Sequence, residues 1–309
     1  MTDDDDVTMT TGPSPLLAEG AELEHLYTGA IWSEGPAWIA ETGRVRWSDI
    51  PNDRILEFDT TTDETAVFRD GAEYTNGRTI DREGRVVQCS HGRRAVEIEG
   101  PDGPITLVDH WAGGRFNSPN DVVVHSDGSV WFTDPPYGID ASGREGHPGE
   151  QEYDGCYVFR FEPDTGAIEP VITALVHPNG LAFSPDESIL YVSDTGDGAL
   201  RIAAYDVAED GVSVVFGDTP GRTFASTAVP ASDGFRIDVD GNVWSSAGDG
   251  VEVFDPTGAT ILRIPVPERT ANVCFGDEDG RTLYITASTS LYRIRTATRQ
   301  SPRTVTPAQ

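Results

Sequence analysis

Six oxygen-bearing side chains stand at the head of six apolar strands: Glu34, Asn76, Asn120, Asn179, Asp233 and Asn272. Each opens a stretch of one design, a short apolar run, an acidic or glycine turn and a second apolar run. The stretches begin EGPAW, NGRTI, NDVVV, NGLAF, DGFRI and NVCFG. In five of them the turn residue (Gly84, Gly128, Glu187, Gly241 or Gly280) follows eight positions after the first, and in the remaining one Gly43 follows Glu34 by nine. A shared register puts the six side chains at one level. Converging carboxylate and carboxamide oxygens, with no His or Cys among them, suit Ca²⁺ better than zinc or copper. Glu34 and Asp233 offset the charge of such an ion, and amides and water complete its shell.

The same residues also fit repeated turn chemistry. Asn-Gly and Asp-Gly are turn dipeptides, and Asn or Asp at a strand start often bonds its own backbone. Against that reading, Glu34 is a poor turn former in the same slot, and Asp233 stands where most units carry a neutral amide.

The elements that must position these groups are legible as hairpins. A third strand-like run follows each hairpin: RILEFD, AVEIEG, CYVFRFE, LRIAAYDV, VEVFD and LYRIRT. Successive units start 39 to 59 residues apart. Four-stranded propeller blades need about 40–50 residues. The expected fold is therefore all-β, a six-bladed β-propeller of four-stranded blades around a central channel, spanning 21–298. Residues 1–20 read as a disordered acidic tail and 299–309 as a C-terminal tail. AELEHLYTGA (21–30) is placed to supply the outer strand of the last blade and close the ring. PPYGIDASGREGHPGEQEYDG (135–155) is a polar, glycine-rich insertion with the character of a lid.

Composition bounds the rest. The 309 residues carry a formal net charge of −30, and all 22 basic residues are arginine. Such a surface repels nucleic acid. Acid residues spread over the whole chain point to a high-salt cell interior, where charge is screened. Without lysine there is neither Schiff-base chemistry nor a lysine phosphate loop. No run is long and apolar enough for a membrane span. Cys89, Cys156 and Cys274 form no CxxC pair, and Cys89 and Cys274 read as small core residues in a reducing cytoplasm.

Taken together, EGPAW, NSPNDVVV, FTDPPYG, HPNGLAFSPDESILYVSDT and DGFRIDVDGNVW resemble the gluconolactonase/regucalcin family, to which diisopropyl fluorophosphatase is structurally related. The resemblance runs from about Ile31 to Thr296. It implies one divalent cation at the channel mouth, usually calcium, with Mg²⁺, Mn²⁺ or Zn²⁺ as alternatives. Glu34, Asn179 and Asp233 match its ligands, and Asn120 matches an asparagine that binds metal or substrate. The animal regucalcin branch carries a substrate-contacting arginine where this chain has Ser118. NSPND and FTDPPYG look more like the microbial sugar-lactonase branch.

The expected function is metal-dependent hydrolysis of a gluconolactone-like sugar lactone by a monomer or small homo-oligomer. Asp233 is the candidate base, or the group that orients the attacking water. Asp134, in FTDPPYG, is a second candidate for proton transfer, with a turn-holding role as its plain alternative. Asn76, Asn120, His91 and Tyr137 are the candidate substrate contacts. For His91 a hydrogen-bonded structural role is the preferred reading, and Arg78 and Arg115 are candidates to contact an anionic product, with a solvated surface position as their default. A phosphotriesterase of the diisopropyl fluorophosphatase kind and a noncatalytic calcium-binding propeller are the competing readings.

Overall fold

The computed structural model describes residues 14–208, 211 and 213–301. Six antiparallel four-stranded sheets follow one another along the chain as blades I to VI. Their innermost strands are Ser33–Ile39, Thr75–Ile80, Val122–Val124, Pro178–Phe183, Phe235–Ile237 and Thr270–Gly276. Blade VI is completed from the other end of the chain: Glu24–Thr28 pairs antiparallel with Ser290–Arg295. This is the expected six-bladed propeller, closed as the sequence indicated.

The hairpins depend on backbone that few side chains tolerate. Gly43, Gly84, Gly128, Gly241 and Gly280 all have positive φ, and Glu187 adopts φ 59° at the equivalent place. An L-residue in that region is strained. Bonds to the neighbouring blade hold Glu187 there. Its carboxylate accepts the Ser126 N–H at 2.9 Å and lies 3.2 Å from His125, so it ties blade IV to blade III.

Alternating apolar residues on each strand form layers between neighbouring blades. One layer joins Trp131 and Val158 of blade III to Leu181 and Val192 of blade IV. Another joins Trp47 and Phe58 of blade I to Tyr284 and Leu291 of blade VI. Cys89 and Cys274 are buried in such layers, and all three cysteines are free. Between blades I and II, Arg46 bridges Glu57 and Glu99 at 2.5 and 2.6 Å.

Of the expected acidic tail, residues 1–13 lie outside the described residues. Leu16 and Leu17 pack against the core of blades V and VI, and Leu17 bridges Thr296. Of the expected C-terminal tail, Gln300 bridges Asp238, and 302–309 lie outside the described residues. Among the described residues no helix is long and apolar enough to cross a membrane.

Candidate active site

The ring positions are set by a stitch repeated between blades. Gly77 N–H donates to Asn120 O at 2.8 Å, and Gly180 N–H to Asp233 O at 3.1 Å. Hydroxyls hold ring carbonyls as well: Ser48 donates to Asn76 O, Thr133 to Asn179 O and Ser193 to Asp233 O, at 3.0, 2.6 and 2.7 Å. Where a glycine follows the ring residue, as at Gly77 and Gly180, this approach requires it. A Cβ on Gly77 would stand 2.5 Å from Asn120 O, and one on Gly180 2.3 Å from Asp233 O. The ring residues thus spend their backbones on neighbouring blades, and their side chains line the axis.

Glu34, Asn76, Asn120, Asn179 and Asp233 converge on a pocket of about 330 Å³ at one mouth of the channel. Asn272 is buried beneath it and donates through Nδ2 to Glu34 Oε2 at 3.0 Å. A larger cavity, about 1460 Å³, opens at the hairpin end and holds none of the six.

Hydrogen bonding decides which face each amide shows. His91 Nδ1 lies 2.9 Å from Glu145 O, which only accepts, so Nδ1 carries the proton. Burial pushes His91 down to about 4, so the ring is neutral and Nε2 accepts. Asn76 must therefore donate its Nδ2–H to Nε2, at 3.2 Å. Asn76 Oδ1 is left buried without a partner. Asn179 likewise donates, to Thr195 at 3.3 Å and to the Asp233 carboxylate. Glu34 Oε2 accepts from Gly35 N–H as well as Asn272, so Oε1 has no protein donor among the described residues. In Asn76 and Asn179 the amide N–H groups are thus committed to protein, and their oxygens are what remain for the pocket.

The carboxylates are poorly compensated. Burial raises Glu34 well above the usual range, and the charge of Asp233 raises it further. Asp233 is open to the pocket on one side but deep among protein atoms, and desolvation pushes it up to about 7 against the pull of Arg269. Asp121 adds a third buried carboxylate in the channel. Its Oδ1 accepts its own Val122 N–H at 2.9 Å, its Oδ2 lies 3.7 Å from Arg236, and burial raises its pKa. Among the described residues no three His, Cys, Asp or Glu side chains cluster as a metal group. A cation held here would take two carboxylates and amide oxygens. The unpartnered Asn76 Oδ1 and two uncompensated carboxylates fit a hard divalent ion.

Other expected site residues fall elsewhere. Asp134 is 0% exposed and does not line the pocket. Its carboxylate accepts Asn117 N–H at 2.7 Å, Ser118 N–H at 2.8 Å and the Tyr153 hydroxyl. Desolvation pushes it up to about 7 despite those bonds. Asp49 and Asp194 do the same for blades I and IV, accepting Ile31 N–H and His177 N–H at 2.8 Å each. All three brace the backbone just before a ring residue, which is the turn-holding role. His91 sits behind Asn76, outside the lining, and ties it to the insertion. Arg78 is not a surface arginine. It is 0% exposed inside the channel, donating to Gly35 O at 2.6 Å and Ser48 Oγ at 2.7 Å. Arg115 is exposed and outside the pocket.

The insertion reaches the site. Tyr137, Arg144 and Glu145 from it line the pocket. Ser118 fastens it, donating to Pro135 O at 2.6 Å and accepting Gly138 N–H at 2.8 Å. Thr195 lies 3.3 Å from His177 O, which takes its hydroxyl proton, so Tyr137 donates to Thr195 at 2.6 Å and keeps its own oxygen free to accept. Trp32, Arg144, Glu145, Thr195, Leu200, Ala231 and Arg269 complete the lining and were not singled out from sequence. Trp32 and Arg269 each sit within three residues before a ring position, a spacing from which they could have been found.

Comparison with known proteins agrees with this architecture. A gluconolactonase from Zymomonas mobilis is 32% identical over 92% of this chain and 83% of its own length. The pentonolactonase XacC of Haloferax volcanii is 28% identical over 84% of this chain and 83% of its own. Among solved structures, the Xanthomonas campestris gluconolactonase XC5397 superposes with a TM-score of 0.85 at 38% identity, covering 91% of both chains. The sequence profile of the SMP-30/gluconolactonase/LRE-like region matches residues 32–289, so the chain belongs to that family.

Proposed function

We propose that this protein is a lactonase that hydrolyses a sugar lactone, with a divalent cation held by Glu34, Asn120, Asn179 and Asp233. The observation that carries the reading is the pair of poorly compensated carboxylates, Glu34 and Asp233, beside Asn76 and Asn179, whose amide oxygens are left for a ligand. The names of the relatives support the substrate class. A cation bound there supplies electrophilic polarisation of the lactone carbonyl and stabilisation of the developing oxyanion.

The chain's own groups do the rest. Asp233 takes a proton from the attacking water as its oxygen bonds to the carbonyl carbon. The ring C–O bond then breaks, and that proton passes to the leaving alkoxide. Asn179 steadies the Asp233 carboxylate through its donated hydrogen bond. The Asn120 amide N–H and the Tyr137 oxygen take sugar hydroxyls, and Trp32 supplies an apolar wall. The polar rim formed by Tyr137, Arg144 and Glu145 suits a sugar better than an apolar phosphotriester.

The direct test is proton release with a panel of aldonolactones and phosphotriesters, before and after EDTA and after calcium or magnesium re-addition. Turnover of an aldonolactone, lost with EDTA and restored by cation, is expected. No cation-dependent turnover of any lactone refutes the reading.

Two further results follow from the charges. Both carboxylates must be ionised to hold a cation, and Asp233 binds its proton up to about pH 7. The rise in Tm produced by saturating calcium is therefore larger at pH 8 than at pH 6. An equal rise at both pH values excludes these carboxylates as the ligands. Secondly, the net charge of −30 fits a high-salt interior. Tm rises when KCl is increased from about 0.1 to about 2 M, as screening relieves self-repulsion. A Tm that is flat or falling removes the salt-adaptation reading.

A further inference from the structure

Most arginines of this acidic chain are engaged. Among the described residues twelve lie within 3.7 Å of a carboxylate oxygen. Arg144 and Arg269 do not, and no side-chain hydrogen bond holds either guanidinium among the described residues. Both are exposed, and both line the 330 Å³ pocket. They come from different sides of the ring: Arg144 from the blade III insertion, Arg269 from the residue preceding the inner strand of blade VI. Arg269 lies over the Trp32 ring, 5.6 Å from its centroid, which keeps it at the mouth.

Arg269 eases the charge of Asp233 and Arg144 that of Glu145, yet neither guanidinium is directly paired among the described residues. Three carboxylates (Glu34, Glu145 and Asp233) and these two guanidiniums line the pocket. With a divalent cation in place the lining carries one net positive charge, inside a protein whose total is −30. A neutral sugar offers no partner for it. Guanidinium groups are suited to phosphate, sulfonate and carboxylate because their planar donors match such oxygens in pairs. We propose that Arg144 and Arg269 bind a terminal anionic group on the lactone, so that charged sugar lactones are the preferred substrates. This rests on the lactonase reading for its chemistry, but the binding of the anion is separable from it.

The test compares ligands that differ only in that group. Calorimetry measures gluconate against 6-phosphogluconate on the calcium-loaded protein. Steady-state assays measure kcat/KM for glucono-δ-lactone against 6-phosphoglucono-δ-lactone and, as the carboxylate arm, glucono-1,4-lactone against glucaro-1,4-lactone. The phosphorylated acid is expected to bind about tenfold tighter or better, and its lactone to show a similar advantage in kcat/KM. Arg144→Ala and Arg269→Ala each shrink both ratios, the double substitution brings them to about one, and Arg269→Lys keeps part of the effect. Equal affinity for the two acids overturns the proposal, as does a preference that survives the double substitution. Preferential binding of 6-phosphogluconate without hydrolysis of any lactone leaves the anion site standing and removes the lactonase reading instead.

Discussion

Glu34→Gln lowers kcat/KM for glucono-δ-lactone by about a thousandfold, the scale expected when transition-state charge stabilisation is lost. Glutamine has nearly the same shape and can still accept from Gly35 N–H and Asn272, so packing is retained. What disappears is one of the two negative charges that offset a cation. Asp233→Asn gives a loss of similar size but of different character. If Glu34 only holds the ion, millimolar calcium recovers much of the Glu34→Gln activity. Asp233→Asn remains slow at saturating calcium, because its amide takes no proton from water. Calorimetric calcium binding measured beside the kinetics separates the two roles. Activity and calcium affinity both near wild type in Asp233→Asn would show that Asp233 is neither ligand nor base.

The largest stability effect is expected at Asp134, away from the pocket. Asp134→Ala leaves two buried backbone N–H groups, of Asn117 and Ser118, and the Tyr153 hydroxyl without an acceptor. Each orphaned donor costs about 1–3 kcal/mol, so the variant loses about 4 kcal/mol at pH 5. The sign of the pH dependence is fixed by the shift. The folded carboxyl holds its proton to about 7, against an ordinary 3.8. Its contribution to wild-type stability is thus complete below the unfolded value and declines as pH rises through 7. The penalty for Asp134→Ala is accordingly smaller at pH 8 than at pH 5. Denaturant unfolding at the two pH values measures it. A variant as stable as wild type at pH 5 would mean that these bonds carry no weight.

The blades and the ring were readable because both repeat: a shared offset from ring residue to turn reports a shared strand register, and register decides which side chains face the axis. The same repeat carried the answer for Asp134. An Asp recurs 14 or 15 residues after Glu34, Asn120 and Asn179, and in all three blades it braces backbone. Arg78 was misjudged because strand alternation cannot tell a channel from a solvated face, and arginine is usually on the latter. His91 was legible as polar and near the mouth, but its role in aiming Asn76 depends on a carbonyl, Glu145 O, supplied by the insertion. Arg144 and Glu145 escaped for the same reason. An insertion has no partner blade with which its register can be compared.

Glu24–Thr28 has one more consequence. It precedes all six inner strands and finds its partner, Ser290–Arg295, only when all six blades have been synthesised. Until then the last sheet lacks its outermost member and the first and sixth blades cannot lock together. Closing so long a loop is slow, because entropy is lost before contacts repay it. The ring should therefore assemble as an open arc, with its ligand-binding mouth incomplete. A chain shortened to begin after Thr28 would keep every pocket residue and still present a bare sheet edge, ready to pair with another molecule.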